Sequence, residues 1–153
     1  MAVTVYGGTG FVGSEYVKRT SQHCHLVARE SHQVYSADVV YFISTVDNYN
    51  VHNDVTLDIN TNLIKLVKVL DNYKNYIQSR GEQGCFNFIS SWFVYGQDSG
   101  YGTKDGIGPR GIPETDPCDP KGFYSITKRC AEQLLISYCE TFELNYQIGR
   151  AHV

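Results

Sequence analysis

Two groups of residues in this sequence carry chemistry. Tyr124 and Lys128, in the stretch Tyr-Ser-Ile-Thr-Lys, stand four apart, so on a helix both side chains lie on one face, one turn apart. A phenol with a pKa of about 10 is a poor base at neutral pH. A neighbouring ammonium favours the phenolate, and Tyr124 then becomes a usable proton donor and acceptor. The second group is Gly7, Gly10 and Gly13, three apart in Val-Tyr-Gly-Gly-Thr-Gly-Phe-Val-Gly. Gly7 permits a tight turn, Gly10 lets a pyrophosphate approach the backbone, and Gly13 lets a helix pack on the preceding strand. The free N–H groups where that helix starts, around Phe11 and Val12, then receive the phosphates. A triphosphate loop would need Gly-Lys-Ser/Thr, and Gly13-Ser14-Glu15 does not supply it. The pattern therefore points to a dinucleotide.

The residue that ends the second strand of such a unit sets the choice of dinucleotide. An acidic side chain holds the ribose hydroxyls of NAD, whereas an arginine accommodates the 2′-phosphate of NADP. The sequence offers Ala28-Arg29-Glu30 there. Both cofactors stay open, with Arg29 tilting the expectation toward NADP.

These residues need a scaffold, and short β-rich runs alternating with longer helical segments provide one. Ala2–Tyr6, Leu26–Ala28, Val39–Ile43, Cys85–Ile89 and Leu144–Ile148 read as strands, and the continuous apolar run Val39–Ile43 suits a strand buried on both faces. A first helix follows Phe11. A second spans roughly Asp54–Tyr76, with Ile59, Leu63, Leu66, Val67, Leu70 and Tyr73 as its apolar stripe. A third runs from about Phe123 to Phe142, with Ala131, Leu134, Leu135 and Tyr138 inward. Strands alternating with helices of this length predict a parallel sheet covered by helices. Between Gly96 and Gly122 lie seven of the fourteen glycines and all four prolines, so this is a long connection of the kind that is usually functional or disordered.

Composition narrows the function classes. A chain of 153 residues, 42% hydrophobic and 19% charged, suits one globular domain. Thirteen Lys and Arg against sixteen Asp and Glu give a net charge of −3, with no basic run, so nucleic acid is not the expected partner. No stretch approaches the roughly 18 uninterrupted apolar residues of a membrane helix. The N-terminus lacks the pattern of a signal peptide, and the expected location is the cytoplasm. The five cysteines, Cys24, Cys85, Cys118, Cys130 and Cys139, are odd in number and scattered. They read as free thiols, largely buried, rather than as disulfides or metal ligands.

Taken in order, the segments VYGGTGFVGS (5–14), ADVVYFIST (37–45), DINTNL (58–63), FNFISSWFVYG (86–96) and PETDPCDPKGFYSITKRCAEQLL (113–135) resemble the extended short-chain dehydrogenase/reductase superfamily. The resemblance is to its branch of NAD(P)-dependent sugar epimerases and dehydratases. It implies a Rossmann-like, doubly wound parallel sheet forming a single domain over 1–153. Tyr124 would be the catalytic acid/base. Lys128 would hydrogen-bond the nicotinamide ribose and depress the tyrosine pKa. Ser91, four residues before Tyr95, would hydrogen-bond the reacting hydroxyl, with Ser90 as the second choice. Asn60 matches a mainly structural asparagine of the central helix. The substrate would be a nucleotide sugar, and a homodimer would form through the two long helices.

Departures from the family refine these expectations. Sugar dehydratases resemble Thr-Asp-Glu-Val-Tyr-Gly where this chain has Ser91-Trp92-Phe93-Val94-Tyr95-Gly96. Without those carboxylates, 4-epimerisation or keto-sugar reduction is the expected chemistry, and Trp92 and Phe93 pack near the nicotinamide or in the core. Ser31–Ala37 is too short for the family's next helix and strand, so the sheet should lose an edge strand. The family's C-terminal substrate-binding region has no counterpart in the chain. The alternative to an enzyme is a non-catalytic dinucleotide-binding module or a fragment of such an enzyme.

Overall fold

Apolar strands and amphipathic helices assemble as the alternation predicts. The computed structural model describes residues 1–46, 51–96 and 114–151. Its elements are β1 (Ala2–Tyr6), α1 (Phe11–Arg19), β2 (His23–Val27), β3 (Asp38–Tyr41), a π-helical turn (Ile59–Ile64) leading into α2 (Lys65–Arg80), β4 (Cys85–Ser91), a 3-10 turn (Trp92–Tyr95), α3 (Phe123–Thr141) and β5 (Asn145–Ala151). The five strands form one sheet in the order β2-β1-β3-β4-β5, every pair parallel. It is a Rossmann-like α/β fold. The strand order reverses between β1 and β3, and in open α/β sheets ligands bind at the carboxyl ends of the strands beside such a switch point.

Side-chain alternation sends each strand's residues to two layers. Tyr6, Val39, Tyr41, Phe86 and Phe88 pack with Leu66, Val69, Leu70, Tyr73, Ala131, Leu135 and Cys139 beneath α2 and α3. Val3, Val5 and Val40 face the other way and meet Tyr16, Val17, Phe42 and Ile89. On that second face α1 leaves a cleft of about 840 Å³, floored by Val3, Val40, Phe42, Asn87 and Ile89.

The connection from β2 to β3 holds neither helix nor strand, as expected from its length. Instead the chain crosses β1. Thr4 Oγ1 accepts from the backbone N–H groups of Tyr35 (3.0 Å) and Ser36 (2.9 Å), and Tyr6 Oη donates to the His32 and Gln33 carbonyls. Asn72 and Tyr73 of α2 tie the same segment from above, through the His32 and Ala37 carbonyls. β2 is left as a sheet edge.

Three expected details shift. β2 begins at His23 and ends at Val27, earlier than its apolar run, because pairing with β1 rather than burial defines an edge strand. Ile59 and Val67 are exposed while Val69 is buried. The π-helical turn adds a residue to the helical cycle and rotates the stripe away from Ile59. Leu134 is also exposed, and Tyr138 is half-buried, its hydroxyl donating to Asp71 at 3.0 Å.

Candidate functional site

The glycine turn joins β1 to α1. Gly7 adopts φ +75°, and a Cβ there would lie 3.2 Å from the Ile43 nitrogen and the Phe42 carbonyl carbon next to β3. Gly10 is the N-cap of α1 and brings no side-chain cap, nor is there an acidic residue in the helix's first turn. The positive end of α1 is thus left to a ligand anion. Gly13 is the one buried residue of α1. A Cβ on it would sit 2.9 Å from the Gly7 carbonyl carbon and closer still to its oxygen. Phe11 is 84% exposed and Val12 is exposed, and their backbone N–H groups, in the first turn of α1, have no acceptor within the helix. This cradle, which side chains would fill, fits a pyrophosphate.

Arg29 lies exposed two residues past the end of β2, whose last residue, Val27, is in register with Tyr6 of β1. It therefore stands beside the glycine turn, where the adenosine ribose of a dinucleotide would reach. Lys65, at the start of α2, donates to the Arg29 carbonyl. Burial holds the Lys65 ammonium below its ordinary value, with Glu30 opposing and Arg29 reinforcing the effect. Sequence reading missed Lys65, which carries no motif.

At the other side of the switch point, β4 ends at Ser91, 6% exposed. Its hydroxyl oxygen accepts from the Phe93 N–H at 3.3 Å and caps the 3-10 turn. Trp92 and Phe93 stack on each other with centroids 4.5 Å apart. Phe93 then meets the half-buried Tyr124 ring edge to face, at 6.0 Å and 86°. One turn along α3, Lys128 is 1% exposed. Its Nζ donates to the Ile89 carbonyl at 2.8 Å and lies 4.3 Å from the Phe88 ring centroid. Burial pulls the Lys128 pKa down to about 7, against the opposing charge of Glu132. β4 thus ends at Ser91 against the start of α3, where Tyr124 meets Phe93 and Lys128 reaches back to the Ile89 carbonyl. Ser90 points to the other face, beside Glu132.

A polar lacing that the sequence did not disclose fastens this corner. Asn62 Oδ1 accepts from the Thr45 N–H at 3.0 Å, and Asn62 Nδ2 donates to Thr45 Oγ1 and Thr127 Oγ1, both at 2.9 Å. Thr45 in turn donates to Asp58. The segment after β3, the π-helical turn and α3 are held as one piece. Asn62 rather than Asn60 takes the buried position; Asn60 is exposed and donates to Thr56 at 3.2 Å.

Most of the long glycine- and proline-rich connection expected at 96–122, residues 97–113, lies outside the described residues. Its described ends approach each other, since a Cβ on Gly96 would lie 2.5 Å from the Asp119 carbonyl oxygen. All five cysteines are free thiols, but only Cys139 is fully buried, the others being half-buried. Among the described residues no group of His, Cys, Asp and Glu could hold a metal ion, and no helix is long and apolar enough to cross a membrane.

Comparison with known proteins bears on this geometry. Residues 27–152 match the model of a family described as the NAD dependent epimerase/dehydratase family; the glycine turn precedes the matched span. The curated proteins give no match. Among solved structures, a UDP-glucose 4-epimerase from Thermotoga maritima with UDP-glucose is similar at TM-score 0.78 and 20% identity, over 98% of this chain and 55% of that one. A UDP-glucose 4-epimerase from Thermus thermophilus in complex with NAD gives 0.75 and 21%, over 98% and 54%. RMD from Pseudomonas aeruginosa, complexed with NADPH, gives 0.71 and 20%, over 97% and 51%. These likenesses show the fold, and the chain spans about half the length of each structure.

Proposed function

The chain belongs to the NAD dependent epimerase/dehydratase family, and on that premise we propose that it binds NAD or NADP and carries out nucleotide-sugar 4-epimerisation or keto-sugar reduction. This reading is supported by the packing of α3 against the end of β4, where Tyr124 meets Phe93 and Lys128 bonds the Ile89 carbonyl two residues before Ser91, together with the Gly7–Gly13 turn after β1.

In this reading the N–H groups of Phe11 and Val12 hold the pyrophosphate, and Arg29 faces the adenosine ribose. When bound, the nicotinamide supplies a hydride acceptor and donor. Tyr124 Oη removes the proton of a sugar hydroxyl and later returns it. Ser91 Oγ donates a hydrogen bond to the same substrate oxygen. The Lys128 ammonium stabilises the phenolate, with burial pulling its pKa below the ordinary lysine value. Trp92 and Phe93 offer no proton-transfer group, which favours epimerisation or reduction over elimination of water.

Calorimetric titration with NAD and NADP, followed by turnover assays on nucleotide sugars, tests the reading. Binding with multiple turnovers supports it, and binding of neither dinucleotide overturns it. Binding without turnover would favour a dinucleotide-binding module that works with a partner. The lean toward NADP rests on Arg29. Arg29→Ala is expected to weaken NADP binding about tenfold through loss of one charge-assisted contact, with NAD affinity unchanged. Equal losses for both would remove Arg29 from cofactor choice.

We also propose that the chain forms a homodimer through α2 and α3, which expose Val67, Ile126 and Leu134. Apolar surface of this kind on neighbouring helices favours a partner. Sedimentation should give twice the 17.3 kDa chain mass. A monomer at high concentration would refute this.

A further inference from the structure

The 3-10 turn after Ser91 divides its four residues between two environments. Trp92 and Phe93 are half-buried, stacked on each other, and Phe93 is set against Tyr124. Val94 and Tyr95 are buried. A single 3-10 turn has poor hydrogen bonds of its own, so contacts outside it must set its orientation. Arg150 supplies one from β5, where it stands in register with Ser90 of β4. Its guanidinium donates in two directions. Nε and Nη2 reach Oε1 and Oε2 of Glu132 on α3, each at 2.9 Å, and Nη1 reaches the Tyr95 hydroxyl. The guanidinium also lies 4.8 Å from the Tyr95 ring centroid. Glu132 is 0% exposed, and a buried carboxylate is costly unless it is paired and hydrogen-bonded. The α3 end of this clamp is therefore firmly held, with Arg129 adding a third bond to Glu132 at 2.8 Å.

We propose that Arg150 is a positioning residue for the candidate site: by gripping α3 through Glu132 and the 3-10 turn through Tyr95, it holds Phe93 and Trp92 in place against Tyr124. This rests on the role given to Tyr124 above. The contacts close a ring. Arg150 bonds Glu132, and α3 runs from Glu132 back to Tyr124 as one helix. Tyr124 meets Phe93, and the 3-10 turn leads from Phe93 to Tyr95 and so to Arg150 again. Within that ring the Phe93–Tyr124 contact cannot slide unless the bond from the guanidinium to Tyr95 or its charge-assisted pair with Glu132 gives way. The Tyr124 phenol keeps one direction as a result, and the stacked Trp92–Phe93 pair stays beside it as a wall of fixed position. Arginine suits the task because its planar fork carries donors on both sides. A lysine ammonium is a compact point charge; it could neutralise Glu132, but it could not reproduce the two-pronged pair and the bond to Tyr95 together.

Trp92 is the only tryptophan of the chain, so its fluorescence reads the turn directly. Two variants of the full chain cut the clamp from opposite sides. Tyr95→Phe removes the hydroxyl and leaves the ring beside the guanidinium. Arg150→Lys leaves a cation for Glu132, which also keeps its bond to Arg129. In each variant the Trp92 emission is expected to move to the red and its quenching by acrylamide to rise. For a nucleotide sugar, kcat is expected to fall about tenfold with KM within about twofold of wild type, the mark of a misplaced reacting group rather than of lost binding. The melting temperature of Tyr95→Phe should stay within a few degrees of wild type. The double variant should be no worse in kcat than either single one, because both break the same link. Unmoved Trp92 signals, or losses in kcat that add in the double variant, would overturn the proposal. Should Arg150→Lys fail to fold, Tyr95→Phe decides by the same Trp92 and kcat readings. Absence of turnover in the wild-type chain would overturn the reading of the site itself, and the Trp92 signals would still decide whether the clamp holds the turn.

Discussion

Tyr124→Phe should lower turnover of a nucleotide sugar by about three orders of magnitude, within the range that positioned proton transfer contributes, while dinucleotide affinity stays within about twofold of wild type. The substitution removes one oxygen. The ring remains to meet Phe93 edge to face, and Lys128 keeps its bond to the Ile89 carbonyl, so the junction of β4 with α3 persists. What disappears is the atom that takes and returns the proton. Steady-state kinetics beside calorimetry separate the two effects, and unchanged turnover would remove Tyr124 from the chemistry. Loss of both turnover and binding would point instead to a packing role for the hydroxyl.

Gly13→Ala should abolish dinucleotide binding and lower Tm by about 10 °C. The added Cβ meets the backbone of Gly7 rather than a movable side chain, so α1 must lift from the turn. Overpacking of this kind costs about 3 kcal/mol, and each kcal/mol shifts Tm by a few degrees in a chain of this size. Gly81 supplies the control. It ends α2 at φ +62°, with nothing within 4 Å of an added Cβ, so Gly81→Ala carries only the strain of a left-handed alanine, about 1–2 kcal/mol. Its dinucleotide affinity should stay at wild type. Calorimetry and thermal melts of the two variants check the contrast, and equal binding losses would show that crowding of the turn is not the cause.

How far the sequence foretells this molecule varies with the physical signal each part leaves. β1, β3 and β4 are legible because AVTVY, VVYFI and CFNFI are apolar or aromatic runs, the composition of strands buried on both faces. The start of β2 is not. His23-Cys24-His25 has no apolar signature, and β1 alone recruits it. The glycine turn is legible because each glycine answers a steric demand that no other residue meets. Asn60 and Asn62 are indistinguishable by composition, and only the π-helical turn decides that Asn62 faces Thr45 and Thr127. Glu132 stays hidden because an acidic residue on a helix ordinarily reads as solvated. Its partner Arg150 stands 18 residues away on another element, beyond the reach of local patterning.

The direct crossing from β2 to β3 also bears on the order in which the sheet is built. Bringing two strands together costs closure entropy that grows with the chain between them. Partners stand closer in sequence in the pairings of β1 with β2 and β3, such as Val3 with Cys24 and Val3 with Asp38. They stand farther apart in those of β4, from Val39 with Phe86 to Cys85 with Asn145. Omitting a helix and strand after β2 shortens the β1–β3 closure further. Non-local closures form slowly, so the half of the sheet that carries the glycine turn assembles ahead of the half that carries Ser91. α3, with Tyr124 and Lys128, then docks on a phosphate cradle that is already shaped.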